Sequence, residues 1–181
     1  IYPKTVVCRM PLMFGNTPPT AISFIQPLIE KLKRGEELSL FTDEFRTPVS
    51  GTTAAKGLLL ALEKVEGILH LGGKEKVSRY QFGCLMAEVM KLSPERIKPC
   101  LQKDVVMAAP RSPDTALDSS QAFSLGYQPL SLEEELTSLF IAGLRQKNRE
   151  KSLNPSRDSD LLQEPKNSRN SDISRKHMDR G

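Results

Sequence analysis

Two arginines in this sequence lie in short loops that are bounded by proline. Arg46 belongs to the segment DEFRTP at 43–48, and Arg111 belongs to PRSPD at 110–114. A guanidinium group on a rigid loop is suited to bidentate hydrogen bonding with a phosphate or a carboxylate. Alternatively, each arginine pairs with a neighbouring aspartate and only fixes its own loop. The sequence leaves both interpretations open.

Other reactive side chains give no indication of a catalytic or metal site. Of the two histidines, His70 lies in an apolar strand pattern, which favours a hydrogen-bonded structural imidazole. Cys8, Cys84 and Cys100 lack the spacing of metal or redox motifs, so we expect reduced thiols. Residues 133–135 are three glutamates in the first turn of a predicted helix, where negative charge suits the helix dipole, and we interpret them as a solvated helix start. We therefore assign no catalytic residue and no metal ligand.

The positive charge of the chain is confined to its C-terminal part. The net charge is +4, but residues 1–144 hold 16 basic and 16 acidic side chains, and residues 145–181 hold 10 basic and 6 acidic ones. The basic part has no aromatic residue on which a base could stack, which argues against a nucleic-acid partner. No apolar stretch approaches the roughly 18 residues of a membrane span. No membrane partner is therefore predicted, and we expect a cytoplasmic protein.

Apolar periodicity predicts alternating strands and helices, which is typical of an α/β fold. In the helix predicted near 52–65, Leu58, Leu59, Ala61, Leu62 and Val65 form the apolar side. The predicted elements are a strand at 4–10, a helix at 22–34, a strand at 38–41, a helix at 52–65, a strand at 68–71, a helix opened by a capping box at 78–81, a mostly extended region at 93–117, a short helix at 118–126 and a final helix at 131–145.

The first strand shapes the functional interpretation. A run this apolar suits a central strand of a parallel sheet, which is buried on both faces. Such a strand needs neighbours on both edges, because unpaired backbone groups are costly when buried. We therefore interpret residues 1–147 as an incomplete Rossmann-type domain, the C-terminal half of a larger α/β protein. Residues 148–181 lack periodicity, and we predict a disordered basic tail.

The order and spacing of several short motifs resemble one protein family. The chain is similar to the C-terminal half of dTDP-4-dehydrorhamnose reductase and its relatives, which belong to the extended short-chain dehydrogenase/reductase group. The similarity covers residues 5–145. The motifs that carry it are RMPLMFG at 9–15, DxxRxP at 43–48, GILHLxG at 67–73, SRYQF at 78–82, RxPxxxLD at 111–118 and LG at 125–126.

The resemblance implies a Rossmann-type NAD or NADP domain with a small α/β lobe that closes over a nucleotide-sugar. It places Met10, Pro11 and Leu12 near the cofactor, and Leu12, Arg46 and Arg111 near the substrate. The family's catalytic Tyr-x-x-x-Lys pair and glycine-rich loop are absent from this sequence. The implied function is thus the substrate-binding portion of an NAD(P)-dependent sugar-nucleotide reductase or epimerase, with this chain inactive on its own.

The resemblance also implies a second function on the same scaffold. The rhamnose-pathway enzymes usually have tryptophan at the position of Leu12, and leucine there removes a stacking surface for a deoxysugar. The group includes the non-catalytic beta subunit of methionine adenosyltransferase, so a regulatory protein is the alternative. The expected protein partner is then either a second copy in a homodimer or a regulated enzyme.

Overall fold

The computed structural model describes residues 5–16, 21 and 23–153. Residues 1–146 form one compact unit, and residues 147–181 form a second one. The last helix ends at Leu153 instead of near Arg145. Residues 148–153, which were predicted to belong to the disordered tail, are therefore helical. Residues 154–181, which hold the rest of the predicted disordered tail, lie outside the described residues.

Helices separate groups of one to three strands along the described chain, which agrees with the predicted α/β class but not with strict alternation. The strands are β1 (Val6–Arg9), β2 (Met13–Phe14), β3 (Leu38–Phe41), β4 (Phe45–Arg46), β5 (Val49–Ser50), β6 (Gly67–His70), β7 (Val77–Ser78) and β8 (Ile97–Cys100). The α-helices are α1 (Ile25–Lys33), α2 (Gly51–Lys64), α3 (Arg79–Val89), α4 (Ser120–Ser124) and α5 (Leu132–Leu153).

The strands pair as four two-stranded sheets within the described residues. β1 with β6, β2 with β5 and β3 with β8 are parallel, whereas β4 and β7 are antiparallel. The sequence missed β8 because Pro99, which has no backbone N–H, stands inside it. Proline is tolerated in a strand that pairs along one edge only.

β1 is a strand, as predicted, but the prediction that it is buried on both faces is wrong for this chain. Its side chains alternate between half-buried and exposed. Val7 and Ile68, which are opposite each other across β1 and β6, are 53% and 54% exposed. One face of this sheet is therefore open, and in the described part of the chain β1 has a strand partner on one edge only.

α2 packs mainly through small residues, which corrects part of the predicted apolar side. Ala61 is buried and Val65 packs against the core as predicted, but Leu58, Leu59 and Leu62 do not. Leu58, Leu59 and Leu62 are 40%, 63% and 74% exposed. The buried positions are Thr53, Ala54, Gly57 and Ala61. A Cβ atom at Gly57 would lie 2.9 Å from the Tyr127 ring and 3.0 Å from Leu71, so the helix approaches the core closely because this side chain is missing.

The helix ends largely follow the predicted signals. Ser78 and Gln81 form the capping box that starts α3, and Gly35 ends α1 with φ +72°. Pro27 falls in the first turn of α1, where it causes no kink. The N-cap of α2 is Ser50, whose side chain accepts from the Thr53 N–H. Two apolar clusters form the core: one holds Phe14, Ile25, Leu40, Phe82, Met86 and Leu136 among others, and the other holds Ala61, Leu69, Leu71, Ala122 and Tyr127.

Candidate functional site

Arg46 lies on β4, with its guanidinium group against the buried carboxylate of Glu44. Nη2 of Arg46 is 3.0 Å from Oε1 of Glu44, and the two side chains are 17% and 6% exposed. Nη1 donates to the carbonyl oxygens of Phe45, at 2.6 Å, and Ser112, at 3.5 Å. Because Ser112 belongs to the other arginine loop, Arg46 ties together the two loops identified in the sequence.

Arg111 reaches the same carboxylate from the second loop. Its Nη1 lies 3.7 Å from Oε2 of Glu44, and its side chain is 59% exposed. The Phe45 N–H donates to the Pro113 carbonyl at 2.6 Å, which holds this loop against β4. Within the described residues, Oε2 of Glu44 is buried without a hydrogen-bond partner, since 3.7 Å is too long for one. The structure thus brings the two predicted arginines together.

The alternative interpretation named the wrong partners for these arginines. Among the described residues, Asp43 accepts from the Gln102 N–H at 3.1 Å. Asp114 forms an ion pair with Lys76, and this hydrogen bond lowers the pKa of the Asp114 carboxyl from its usual value. The acid that the arginines share is Glu44, which the sequence did not single out.

A third arginine, Arg79, joins this group at the first position of α3. Its backbone N–H donates to the Glu44 carbonyl at 3.0 Å, and its Cζ lies 4.5 Å from the centroid of the Phe24 ring. Burial lowers the pKa of Arg79; the charge of Glu44 opposes this shift, and the charges of Arg46 and Arg111 add to it. The sequence contained a signal for Arg79, because a cation in the first turn of a helix opposes the helix dipole.

Gly72 and Gly73, which follow β6, position the Arg46 loop. The Gly73 N–H donates to the Thr47 carbonyl at 3.0 Å, and a Cβ at Gly73 would collide with the Pro48 carbonyl oxygen. A Cβ at Gly72 would lie 2.6 Å from Oγ1 of Thr47. We interpret this pair as a requirement for close backbone approach.

Met10, Pro11 and Leu12 connect β1 to β2 and are all half-buried. The Leu12 carbonyl accepts from the Val49 N–H at 3.2 Å, which ties this segment to the strand that follows the Arg46 loop. The three side chains offer apolar contact and no hydrogen-bond donor. Such side chains can pack against a flat ring, but they cannot donate hydrogen bonds to the phosphates of a dinucleotide.

The remaining polar side chains have structural roles. His70 is hydrogen-bonded as predicted: its Nδ1 is 3.1 Å from the Asp118 carbonyl oxygen, and its Nε2 is 3.4 Å from Nη1 of Arg9. The three cysteines are free thiols, also as predicted. Among the described residues, no group of His, Cys, Asp and Glu side chains is placed to hold a metal ion. None of the described helices is long and apolar enough to cross a bilayer.

A cleft of about 640 Å³ lies between the start of α2 and the part of α5 near Glu135. Glu135 is 4% exposed, not solvated as predicted. One of its carboxylate oxygens accepts from the Ser50 N–H, and the other has no hydrogen-bond partner in the described part of the chain. Glu135 therefore helps to satisfy the N-terminus of α2.

Comparison with known proteins gives a consistent result. The model of the RmlD substrate binding domain family matches residues 1–144. The "Probable low-salt glycan biosynthesis reductase Agl14" of Haloferax volcanii is 27% identical over 146 residues, which are 78% of this chain and 49% of that protein. The methionine adenosyltransferase 2 subunit beta of Xenopus laevis is 26% identical over 127 residues, covering 66% of this chain and 38% of that protein.

The fold also matches a solved reductase. The crystal structure of dTDP-4-dehydrorhamnose reductase from Bacillus anthracis, in complex with NADP, aligns with a TM-score of 0.67 and 19% identity, covering 76% of this chain and 48% of that one. The chain thus has the fold of Rossmann-type reductases and spans about half the length, or less, of the relatives it matches.

Proposed function

Since this chain belongs to the RmlD substrate binding domain family, we propose that it is the substrate-binding portion of an NAD(P)-dependent sugar-nucleotide reductase or epimerase. The observation that carries this proposal is the convergence of Arg46 and Arg111, from two separate loops, on one buried carboxylate. Similarity to a reductase of glycan biosynthesis and to a dTDP-4-dehydrorhamnose reductase supports it.

The arginine pair is suited to the diphosphate group of a nucleotide-sugar. Glu44 holds the first guanidinium closely and the second one loosely, so Arg111 keeps most of its donors available. Arginine binds phosphate oxygens in a bidentate manner, and such charge-assisted hydrogen bonds are stronger than neutral ones. Arg46 fixes the loop, and Arg111 makes the more adaptable contact with the ligand.

A nicotinamide cofactor belongs to this proposal through the segment Met10–Leu12. When bound, such a cofactor supplies the hydride that reduces a carbonyl carbon. The half-buried side chains of this segment form an apolar wall for the nicotinamide ring and exclude water from that side. The sequence contains no glycine-rich loop for the cofactor phosphates, so these contacts have to come from another part of the functional protein.

The open face of the β1–β6 sheet is suited to such a cofactor-binding domain. Val7 and Ile68 form an exposed apolar pair on this face. The edge of β1 away from β6 has no strand partner among the described residues. A Rossmann-type domain that continues the sheet at β1 would cover both features, since parallel sheets are normally covered on both faces.

The proposal is tested by nucleotide-sugar binding to variants of Arg111. Arg111→Ala is expected to weaken the binding of UDP-glucose or dTDP-glucose about tenfold, the scale of losing charge-assisted hydrogen bonds. Arg96→Ala is the matched control, because Arg96 is exposed and lies outside the arginine group. Isothermal titration calorimetry measures both. Equal affinity of the wild type and Arg111→Ala would contradict the proposal, as would the absence of any binding.

A regulatory protein is the second candidate function. It is favoured by the similarity to methionine adenosyltransferase 2 subunit beta, and Leu12 in place of an aromatic residue agrees with it. Sedimentation velocity with a methionine adenosyltransferase catalytic subunit tests this alternative, since a regulatory subunit would form a heavier complex. A homodimer would instead appear as a heavier species in the chain alone.

A further inference from the structure

Arg79 occupies an electrostatically unfavourable position that its own helix does not explain. It is the first residue of α3, where the positive end of the helix dipole disfavours a cation. It is also half-buried, and burial lowers its pKa because the charged form loses solvation. A guanidinium group placed here is costly unless an anion offsets the cost.

Glu44 alone does not provide enough negative charge. Its carboxylate is already shared between Arg46, at 3.0 Å, and Arg111, at 3.7 Å. The nearby pair Lys76–Asp114 is neutral as a unit. Three arginines and one glutamate therefore leave this group with a net charge of +2. Two negative charges are missing from a balanced arrangement, and a bound anion could supply them.

The guanidinium group of Arg79 contacts an aromatic ring, but its N–H donors remain available for a ligand. Its Cζ lies over the Phe24 ring, 4.5 Å from the ring centroid. A cation–π contact of this kind leaves the N–H groups that do not face the ring available for hydrogen bonds. In the described part of the chain, no hydrogen bond of these N–H groups to a carbonyl or carboxylate is found, whereas Arg46 donates several.

We propose that Arg79 is a third phosphate-binding residue, and that it makes the site selective for a ligand with two phosphate groups over a ligand with one. The inference rests on the proposed function, because it assigns a further residue to the same nucleotide-sugar site. Arg46 and Arg111 with Glu44 carry a net charge of +1, which one phosphodiester balances. Arg79 adds the charge and the donors for the second phosphate, and Phe24 fixes its direction.

The test compares two probes on three proteins by isothermal titration calorimetry. UDP-glucose carries two singly charged phosphates, and the 5′-methyl phosphate of uridine carries one. Arg79→Met keeps an unbranched apolar side chain and removes the charge and the N–H donors, whereas Arg79→Lys keeps the charge without the planar fork. We expect Arg79→Met to weaken UDP-glucose binding about tenfold and methyl phosphate binding less than about twofold. Arg79→Lys should fall between the wild type and Arg79→Met for UDP-glucose.

The change in the ratio of the two affinities is the decisive readout, because a purely structural role would weaken both probes together. An equal loss for both probes, accompanied by a lower unfolding midpoint of Arg79→Met, overturns the inference. Unchanged UDP-glucose binding in Arg79→Met also overturns it and leaves the proposed function intact. If the wild type binds neither probe, the proposed function fails, and this inference fails with it.

Discussion

Glu44 organises the candidate site at the level of single residues. Its buried carboxylate contacts Arg46 and Arg111, and its carbonyl accepts from the backbone of Arg79. One residue therefore contacts two guanidinium groups and the backbone of the third arginine, and it lowers the net positive charge of the site. A buried acid in this position stabilises the arrangement while leaving positive charge in excess for an anionic ligand.

Glu44→Gln separates these two effects, since glutamine keeps the shape and removes the charge. We expect the free energy of unfolding to fall by about 1–3 kcal/mol, because Arg46 loses its buried charged partner. UDP-glucose binding should become tighter in the folded variant, because the site gains positive charge. Urea unfolding and calorimetry measure these quantities. Glu95→Gln is the control, because Glu95 is exposed. Weaker binding by a folded Glu44→Gln would show that positioning of the arginines by the carboxylate outweighs the gain in positive charge.

The sequence predicted part of this residue arrangement. Proline-bounded loops identified Arg46 and Arg111, because a rigid loop is a local property that the sequence displays directly. The shared partner Glu44 was not predicted: Arg111 lies far from it along the chain, and only the fold brings the two together. Arg79 was seen only as part of a capping box, although its place at a helix start was a local signal.

At the level of elements, the close approach of β6 to the Arg46 loop is a second requirement of the site. Gly73 lies so close to the Pro48 carbonyl that a side chain has no room, and its N–H donates to Thr47. The residues that follow β6 therefore determine the path of the backbone after Arg46. A change at this contact should alter the site without touching any of its arginines.

Gly73→Ala is expected to destabilise the protein by about 1–3 kcal/mol, the usual cost of overpacking. It should also weaken nucleotide-sugar binding, because the loop that carries Arg46 has to move. Gly51→Ala is the matched control, since its Cβ would meet only the Phe14 carbonyl oxygen, at an ordinary 3.9 Å. Urea unfolding of the two variants measures the difference. Equal stability of Gly73→Ala and the wild type would show that this contact is loose.

The elements also show where periodicity fails to identify a buried face. The predicted apolar side of α2 combined Leu58, Leu59 and Leu62 with Ala61 and Val65, and of these only Ala61 and Val65 face the core. The structure buries Ala54, Gly57 and Ala61 because a helix with small residues can lie closer to Leu71 and Tyr127. Leu59 and Leu62 stay outside. The sequence determined that α2 is amphipathic, but not which side faces this core.

For the whole molecule, the open faces are as informative as the core. The apolar pair Val7–Ile68 lies on the open face of the β1–β6 sheet, and exposed leucines lie on α2. Apolar surface of this kind marks an interaction site when it is contiguous. The sequence anticipated the strand character of β1 and its need for a neighbour. The open face of the sheet became visible only from the burial of individual side chains.

The absence of phosphate donors near Met10–Leu12 leads to a prediction for the purified chain of 181 residues. We expect it to bind NADPH only with a dissociation constant of roughly 1 mM or weaker. The segment provides apolar contact for the nicotinamide ring. Most of the affinity for a dinucleotide comes from donors to its phosphates, as at helix N-termini with glycine-rich loops.

Calorimetric titration with NADPH measures this dissociation constant. The dTDP-4-dehydrorhamnose reductase of Bacillus anthracis, solved with NADP, is the positive control. A dissociation constant near 1 µM, or about 8 kcal/mol of binding free energy, would mean that this chain holds a complete cofactor site, and the proposed division of roles between two domains would then be wrong.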